Sequence, residues 1–237
     1  MTSPGVTTTA QAAGHPGDAV TIRLATLDDL PAIVAISNHY ALTTHANFAV
    51  EPESLESWRE SWRTTHERFP WLVAVETPSS THGPASSATT RPDEAFSSQS
   101  TDPSALRASP LLGFAKASPW KGRCAYNWTA ETSVYLRPEA HGRGLGRALY
   151  SRLINLMRAQ GWRTLLGGIT QPNEASVRLH EACGFRKVAH LERVGWKFGR
   201  WWDVGYWELH LQGDPSGTMD DPPPGPIEPV KAAWRGP

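Results

Sequence analysis

The sequence predicts a mixed α/β sheet, and three observations carry that expectation. Segments with strand-like and helix-like hydropathy alternate along the chain. Strands that read as hairpin partners stand at both ends of that alternation. Between them, a strand ending near Leu136 passes Pro138 and enters a glycine turn, His141 to Arg147 (HGRGLGR), which opens a long amphipathic helix.

Residues 1–19 are Thr, Ala, Gly and Pro with almost no large apolar side chain, and read as a disordered tail. Val20 to Ala25 alternates as a first strand. Thr26, with acid at Asp28 and Asp29, reads as a helix start, and Pro31 is tolerated in the first turn. Leu30, Ile33, Val34 and Ser37 share one face of that helix, which runs to about Leu42. A loop from Thr43 to Pro52 carries Phe48, and Ser54 starts a second helix with Leu55, Trp58 and Trp62 at helical spacing. Pro70 to Glu76 (PWLVAVE) and Leu111 to Ala117 (LLGFAKA) are apolar strands that match as a hairpin. Residues 77–110 between them are dominated by Ser, Pro, Thr and Ala, with only Phe96 and Leu106 as large apolar residues, a composition that cannot offset its own chain entropy, so they read as a disordered insertion.

After a turn at Pro119 to Arg123, Tyr126 to Leu136 reads as a long strand. The helix Arg143 to Gln160 carries an apolar stripe of Leu145, Leu149, Leu153 and Leu156, and Gly161 stops it. A strand from Arg163 to Ile169 follows, then a helix capped by Asn173 and ending at Gly184. Phe185 to Trp196 and Trp202 to Leu211 form a final strand pair, and residues 213–237 read as a loose Pro- and Gly-rich tail. The organisation is therefore one domain over residues 20–212, with an insertion at 77–110 and two tails.

Composition removes several functions. With 23 basic and 23 acidic residues the formal charge is zero, which gives no basis for nucleic-acid or membrane-surface binding. No apolar run approaches the roughly 20 residues that span a bilayer. Two distant cysteines, Cys124 and Cys183, fit free thiols in a reducing compartment, so a cytoplasmic setting is expected. Nine histidines show no HExxH-type spacing, and no metal is expected.

Chemistry concentrates in the centre of the chain. Gly142, Gly144 and Gly146 let the backbone turn tightly where a helix begins, exposing N–H groups that favour an anion. Arg143 and Arg147 add positive charge. No Gly-Lys-Ser/Thr follows, and the spacing is not GxGxxG, so neither a P-loop nor a dinucleotide fold is indicated. Asn173 and His180 share a helix face; each alone also fits a cap or a structural histidine. Glu131 is a carboxylate within an otherwise uncharged strand, placed at a solvated edge or as a base, and His180 is a competing base.

The runs RGLGRALY and NEASVRLHEACGF resemble the GNAT N-acetyltransferases. FPWLVAV, SPWKGRCAYNWTAETSVYL and VGWKFGRWWDVGYWEL extend the resemblance, over about residues 20–211, to the phosphinothricin and methionine sulfoximine N-acetyltransferase group. The resemblance implies a splayed mixed sheet flanked by helices on both faces. It implies acetyl-CoA as co-substrate, its pantetheine on the backbone of Val134, Tyr135 and Leu136. The pyrophosphate would sit on Gly142, Arg143, Gly144, Leu145, Gly146 and Arg147, with Asn173 touching the cofactor. Glu131 matches the general base, and His180 replaces a more common tyrosine. Phe48, Lys121, Arg123, Tyr126 and Thr132 match the pocket of a small anionic amino-acid acceptor, and a homodimer is expected. Two positions depart from the pattern: His141 stands where the phosphate loop usually starts with Gln or Arg, and Thr170 where the group carries glycine.

Overall fold

The computed structural model describes residues 19–77, 109–212 and 224–236. All of the N-terminal tail read at 1–19 except Ala19, all but the ends of the insertion, and residues 213–223 lie outside the described residues. Seven strands form one sheet: β1 (Ala19–Leu24), β2 (Trp71–Thr77), β3 (Leu111–Pro119), β4 (Thr129–Leu136), β5 (Thr164–Gln171), β6 (Arg186–Lys197) and β7 (Arg200–His210). Their order is β1-β2-β3-β4-β5-β7-β6. Among the described residues only β4 and β5 pair in parallel; every other neighbouring pair is antiparallel.

Strand alternation builds two cores. Along β2, Trp71 and Val73 face a cluster with Leu30, Ile33, Val34, Ile36 and Trp58, supplied by α1 (Leu30–Thr43) and α2 (Leu55–Thr65). Leu72 and Ala74 face the opposite cluster, built on α3 (Leu145–Gln160) with Leu149, Tyr150, Leu153 and Met157. α4 (Glu174–Ala182) joins that second face through Val177 and Leu179. The helices thus flank the sheet on both sides, as expected for the fold.

Several boundaries differ from the sequence reading, among them three at the elements around the site and the second helix. The strand expected from Tyr126 starts at Thr129, because Cys124–Tyr126 closes into a 3₁₀ turn. The helix expected from Arg143 starts at Leu145, because Gly144 sits at φ 75°, outside helical space. The second helix ends at Thr65 rather than near Phe69.

The C-terminal segment is the larger correction. Residues 224–236 fold back on the domain through a short helix, α5 (Val230–Ala233), with Val230 and Ala233 buried. Gln160 is fully buried; its Nε2 donates to the carbonyls of Arg68 at 2.9 Å and Glu228 at 2.8 Å. The Trp128 indole donates to Gly225 O at 2.7 Å, which ties the tail to the start of β4. The sequence showed only a leucine stripe on α3; a glutamine in its last turn gave no sign of a distant partner. Gln160→Leu should lower the unfolding free energy by about 1–3 kcal/mol, because two part-buried carbonyls lose their donor. Urea unfolding with an unchanged m-value checks this.

Candidate active site

β4 and β5 pair at Thr129↔Thr164, Ala130↔Leu165 and Glu131↔Leu166, and there the pairing stops. Beyond it β4 stays on β3 as far as Leu136, and β5 stays on β7 as far as Gln171. The sheet therefore opens into a cleft, one wall of which is the backbone of Val134, Tyr135 and Leu136. At the cleft's rim lies the glycine turn, with Gly142 at φ 74° and Gly144 at φ 75°. A side chain there would be strained, although nothing lies within 4 Å of either position. Leu145 buries its side chain, so this residue offers only backbone to a ligand. At Gly146 the first turn of α3 lies against Leu136 and Leu179, 3.6 and 3.5 Å from where a Cβ would sit, an ordinary contact distance.

The side chains around this turn are partly committed. Arg143 pairs with Glu76 at 3.1 Å, while Arg147 is exposed. The Tyr40 hydroxyl donates to Leu136 O at 2.7 Å. Its one proton is then spent, so His141 Nε2, 2.8 Å away, must donate to it. The Leu136 carbonyl, read as a cofactor contact, thus already has a partner on α1. Asn173 caps α4, its Oδ1 accepting from Ser176 N at 3.1 Å, which leaves its NH₂ group for other contacts.

Glu131 stands where β4 and β5 part. An added Cβ on Gly168 of β5 would lie 3.1 Å from Glu131 Oε1 and 3.4 Å from the Tyr206 ring. The glycine therefore makes room for the carboxylate beside that tyrosine. Burial pushes the Glu131 carboxyl above its ordinary range, and the charges of Lys121 and Lys116 pull it partly back. Lys121 lies in the loop that follows β3, its ammonium 5.2 Å from the Trp120 ring. Tyr126 packs edge-on against Trp120 at 5.1 Å, and Arg123 is exposed in the same loop.

His180 is not beside Glu131. Its imidazole occupies the space that a Cβ on Gly167 would need, and neighbouring strand residues point to opposite faces. The residue is 4 % exposed. Its Nδ1–H donates to Ser176 O at 2.8 Å. Its Nε2 accepts from Tyr150 O–H at 3.0 Å. Tyr150 in turn accepts from the Thr132 hydroxyl at 2.6 Å. Burial lowers the His180 pKa, only partly opposed by the Ser176 bond, and the neutral ring fits this donor pattern. Thr132, read as an acceptor contact, belongs to this buried chain on the opposite face from Glu131; strand alternation is the reason. Thr170 is also buried and pairs with Val204.

The loop carrying Phe48 is clasped by the last hairpin. Phe48 lies against Gly195 of β6, where a Cβ would overlap its ring. Lys197 Nζ donates to the carbonyls of Ala41 and Asn47. The His45 ring stacks on Trp202 at 4.2 Å. Sequence reading missed Tyr40, Tyr150, Tyr206 and Lys197, whose partners are all remote in the chain. Among the described residues no group of three His, Cys, Asp or Glu side chains could hold a metal, and no helix is long and apolar enough to cross a membrane.

A sheet parted between its two parallel strands, with a glycine turn at the mouth, is the frame that the sequence resemblance implies. A family model described as an acetyltransferase (GNAT) domain matches residues 107–205. The chain is 35 % identical to a phosphinothricin N-acetyltransferase of Streptomyces viridochromogenes, over 89 % of this chain and 94 % of that one. It is 32 % identical to an L-methionine sulfoximine/L-methionine sulfone acetyltransferase of Salmonella typhimurium, over 81 % and 95 % of the two chains. The crystal structure of a phosphinothricin acetyltransferase from Sinorhizobium meliloti in complex with acetyl-CoA matches with a TM-score of 0.65 and 27 % identity, covering 85 % of this chain and 96 % of that one. The chain belongs to the GNAT family of N-acetyltransferases.

Proposed function

We propose that this enzyme moves the acetyl group of acetyl-CoA to the α-amino group of a small anionic amino acid of the phosphinothricin or methionine sulfoximine type. The observation that carries the reading is Glu131: a half-buried carboxylate at the point where β4 and β5 separate, its pKa raised by burial and only partly lowered by the charges of Lys121 and Lys116. The acetyl-CoA pantetheine would lie in the cleft along Val134 to Leu136, and its pyrophosphate on Gly142 to Arg147. Asn173 would donate its amide to the cofactor. Phe48, Lys121, Arg123 and Tyr126 would bound the acceptor.

In the reaction Glu131 takes a proton from the acceptor ammonium, directly or through water. The freed amine attacks the thioester carbonyl. Backbone N–H groups that β4 leaves unpaired in the cleft stabilise the oxyanion. Attack forms the C–N bond in a tetrahedral intermediate; as it collapses the C–S bond breaks, CoA leaves as a thiolate, and the second proton of the attacking nitrogen passes to that sulfur. His180 supports this machinery from behind. Both ring nitrogens are engaged and the ring is neutral, so its role is to hold Tyr150 and Thr132 under β4. The exposed Trp196, Phe198 and Trp201 would form the contact of a homodimer, and two free thiols fit a cytoplasmic setting.

The decisive experiment is an acceptor screen that follows CoA thiol release. Turnover with phosphinothricin, methionine sulfoximine or methionine sulfone is expected. Turnover only with unrelated amines would replace the acceptor class; Thr170, where the group carries glycine, is the feature that would favour this. Tight acetyl-CoA binding with no release from any acceptor would make the protein a regulator. Gly144→Ala forces a Cβ into left-handed backbone at a cost of about 1–2 kcal/mol. It should weaken acetyl-CoA binding by about tenfold in calorimetry, with little change in acceptor KM.

A further inference from the structure

Of the two lysines whose charge reaches Glu131, Lys116 stands apart from the 121–126 loop. Lys116 sits on β3 opposite Ser133 of β4, while Glu131 lies two residues along the same strand. Lys116 and Glu131 therefore project from the same face of adjacent strands, within reach of one small molecule. The Lys116 ammonium lies 4.5 Å from the centroid of Trp58 and 4.7 Å from that of Trp71. These indoles meet edge to face at 5.6 Å and 87°. Trp58 is further fixed by donating its N–H to Glu53 Oε2 at 3.2 Å.

Aromatic faces attract an ammonium but do not accept its hydrogen bonds as carbonyls would. Among the described residues Lys116 Nζ makes no hydrogen bond and no ion pair, so its three donors are not spent on the protein. The acidic groups acting on it are Glu53 and Glu131, and neither comes within ion-pair distance. A methionine would fill the gap between the two indoles without the cost of desolvating a charge. The cation beside Glu131 forms the second pole of a site whose first pole takes an ammonium.

We propose that Lys116, framed by Trp58 and Trp71, receives the anionic group of the acceptor, a carboxylate or phosphinate, while the acceptor's ammonium faces Glu131. Lys116 is thus a specificity-determining residue on the opposite side of Glu131 from the 121–126 loop. The proposal rests on the acetyl-transfer reading above for the identity of the acceptor, but not for the existence of the anion site.

The test compares Lys116→Gln and Lys116→Arg with the wild type, using phosphinothricin, methionine sulfone and the decarboxylated amine of methionine sulfone as acceptors. Lys116→Met, which keeps contact with both indoles, serves if the glutamine variant does not fold. The neutral variant should raise KM for the acceptors that carry the bound anion by about 10- to 100-fold, with kcat far less affected, and arginine should restore most of it. A rise confined to phosphinothricin places the side-chain anion on Lys116. A rise shared by both amino acids but absent for the amine places the α-carboxylate there. An unchanged KM for every acceptor overturns the proposal and leaves the acetyltransferase reading intact. Calorimetric titration of phosphinothricin needs no turnover. Binding that is lost in the neutral variant upholds the anion site even if no acetyl transfer follows, and that pair of results would overturn the acceptor reading instead. Binding equal in both proteins, or none in either, overturns the site.

Discussion

Glu131→Gln is expected to lower kcat/KM by about 100- to 10,000-fold, the usual range for removing a general base. The wild-type profile should rise with pH through a value above the ordinary glutamate range, because burial raises the Glu131 pKa. The variant should lose that limb and keep its affinity for acetyl-CoA. Stability should move the other way. A carboxyl whose pKa is raised on folding contributes stability that is complete below its unfolded pKa and lost as pH rises through its folded pKa. At neutral pH the buried carboxylate is therefore a burden, and the glutamine variant should melt higher than the wild type. The gap should close as the pH falls below the glutamate range. Melting curves and kcat/KM measured over one pH series test both halves; an unchanged pH–rate profile in the variant would remove Glu131 from the base role.

The second large effect concerns the opposite face. Gly167→Ala places a methyl group where the His180 imidazole lies. The ring cannot retreat, because it packs edge-on against Tyr150 at 5.0 Å and Phe185 at 5.2 Å. Displacing it breaks the Tyr150–His180 bond inside a sealed core. A loss of about 2–4 kcal/mol in unfolding free energy is expected from overpacking plus an unsatisfied buried hydroxyl. His180→Ala removes the obstacle, so the double variant should be less destabilised than the sum of the two single ones. Strict additivity in urea unfolding would show that the histidine does not fill that space in solution.

The chain order of strands and helices was legible because each element buries one face, and burial leaves a period of two or of 3.6 residues in the sequence. The hairpin partners Trp71–Thr77 and Leu111–Pro119 could be matched across the long insertion for this reason. Glu131 was legible as a lone charge in an apolar strand. Lys116 is an equally lone charge within LLGFAKA, but a lysine near a strand end commonly reaches solvent, so residue type alone does not mark it. Boundaries slipped where a local turn competes with extension, as at Cys124–Tyr126.

Face assignment was the part that sequence reading handled least well. Glu131 and His180 were grouped as alternative bases, yet one opposes Gly168 and the other Gly167. A single residue of register decides which side of the sheet each meets, and register across β4 and β5 is a long-range property. Taken alone, the sequence determined the family, the glycine turn and the carboxylate, because these are local patterns of residue type. Tertiary structure alone decided that the parallel strands part just after Glu131, that His180 is held behind the sheet by Tyr150, and that Lys116 lies between two tryptophans beside the cleft. Each of those depends on contacts between segments tens of residues apart, and such contacts leave no period in the chain.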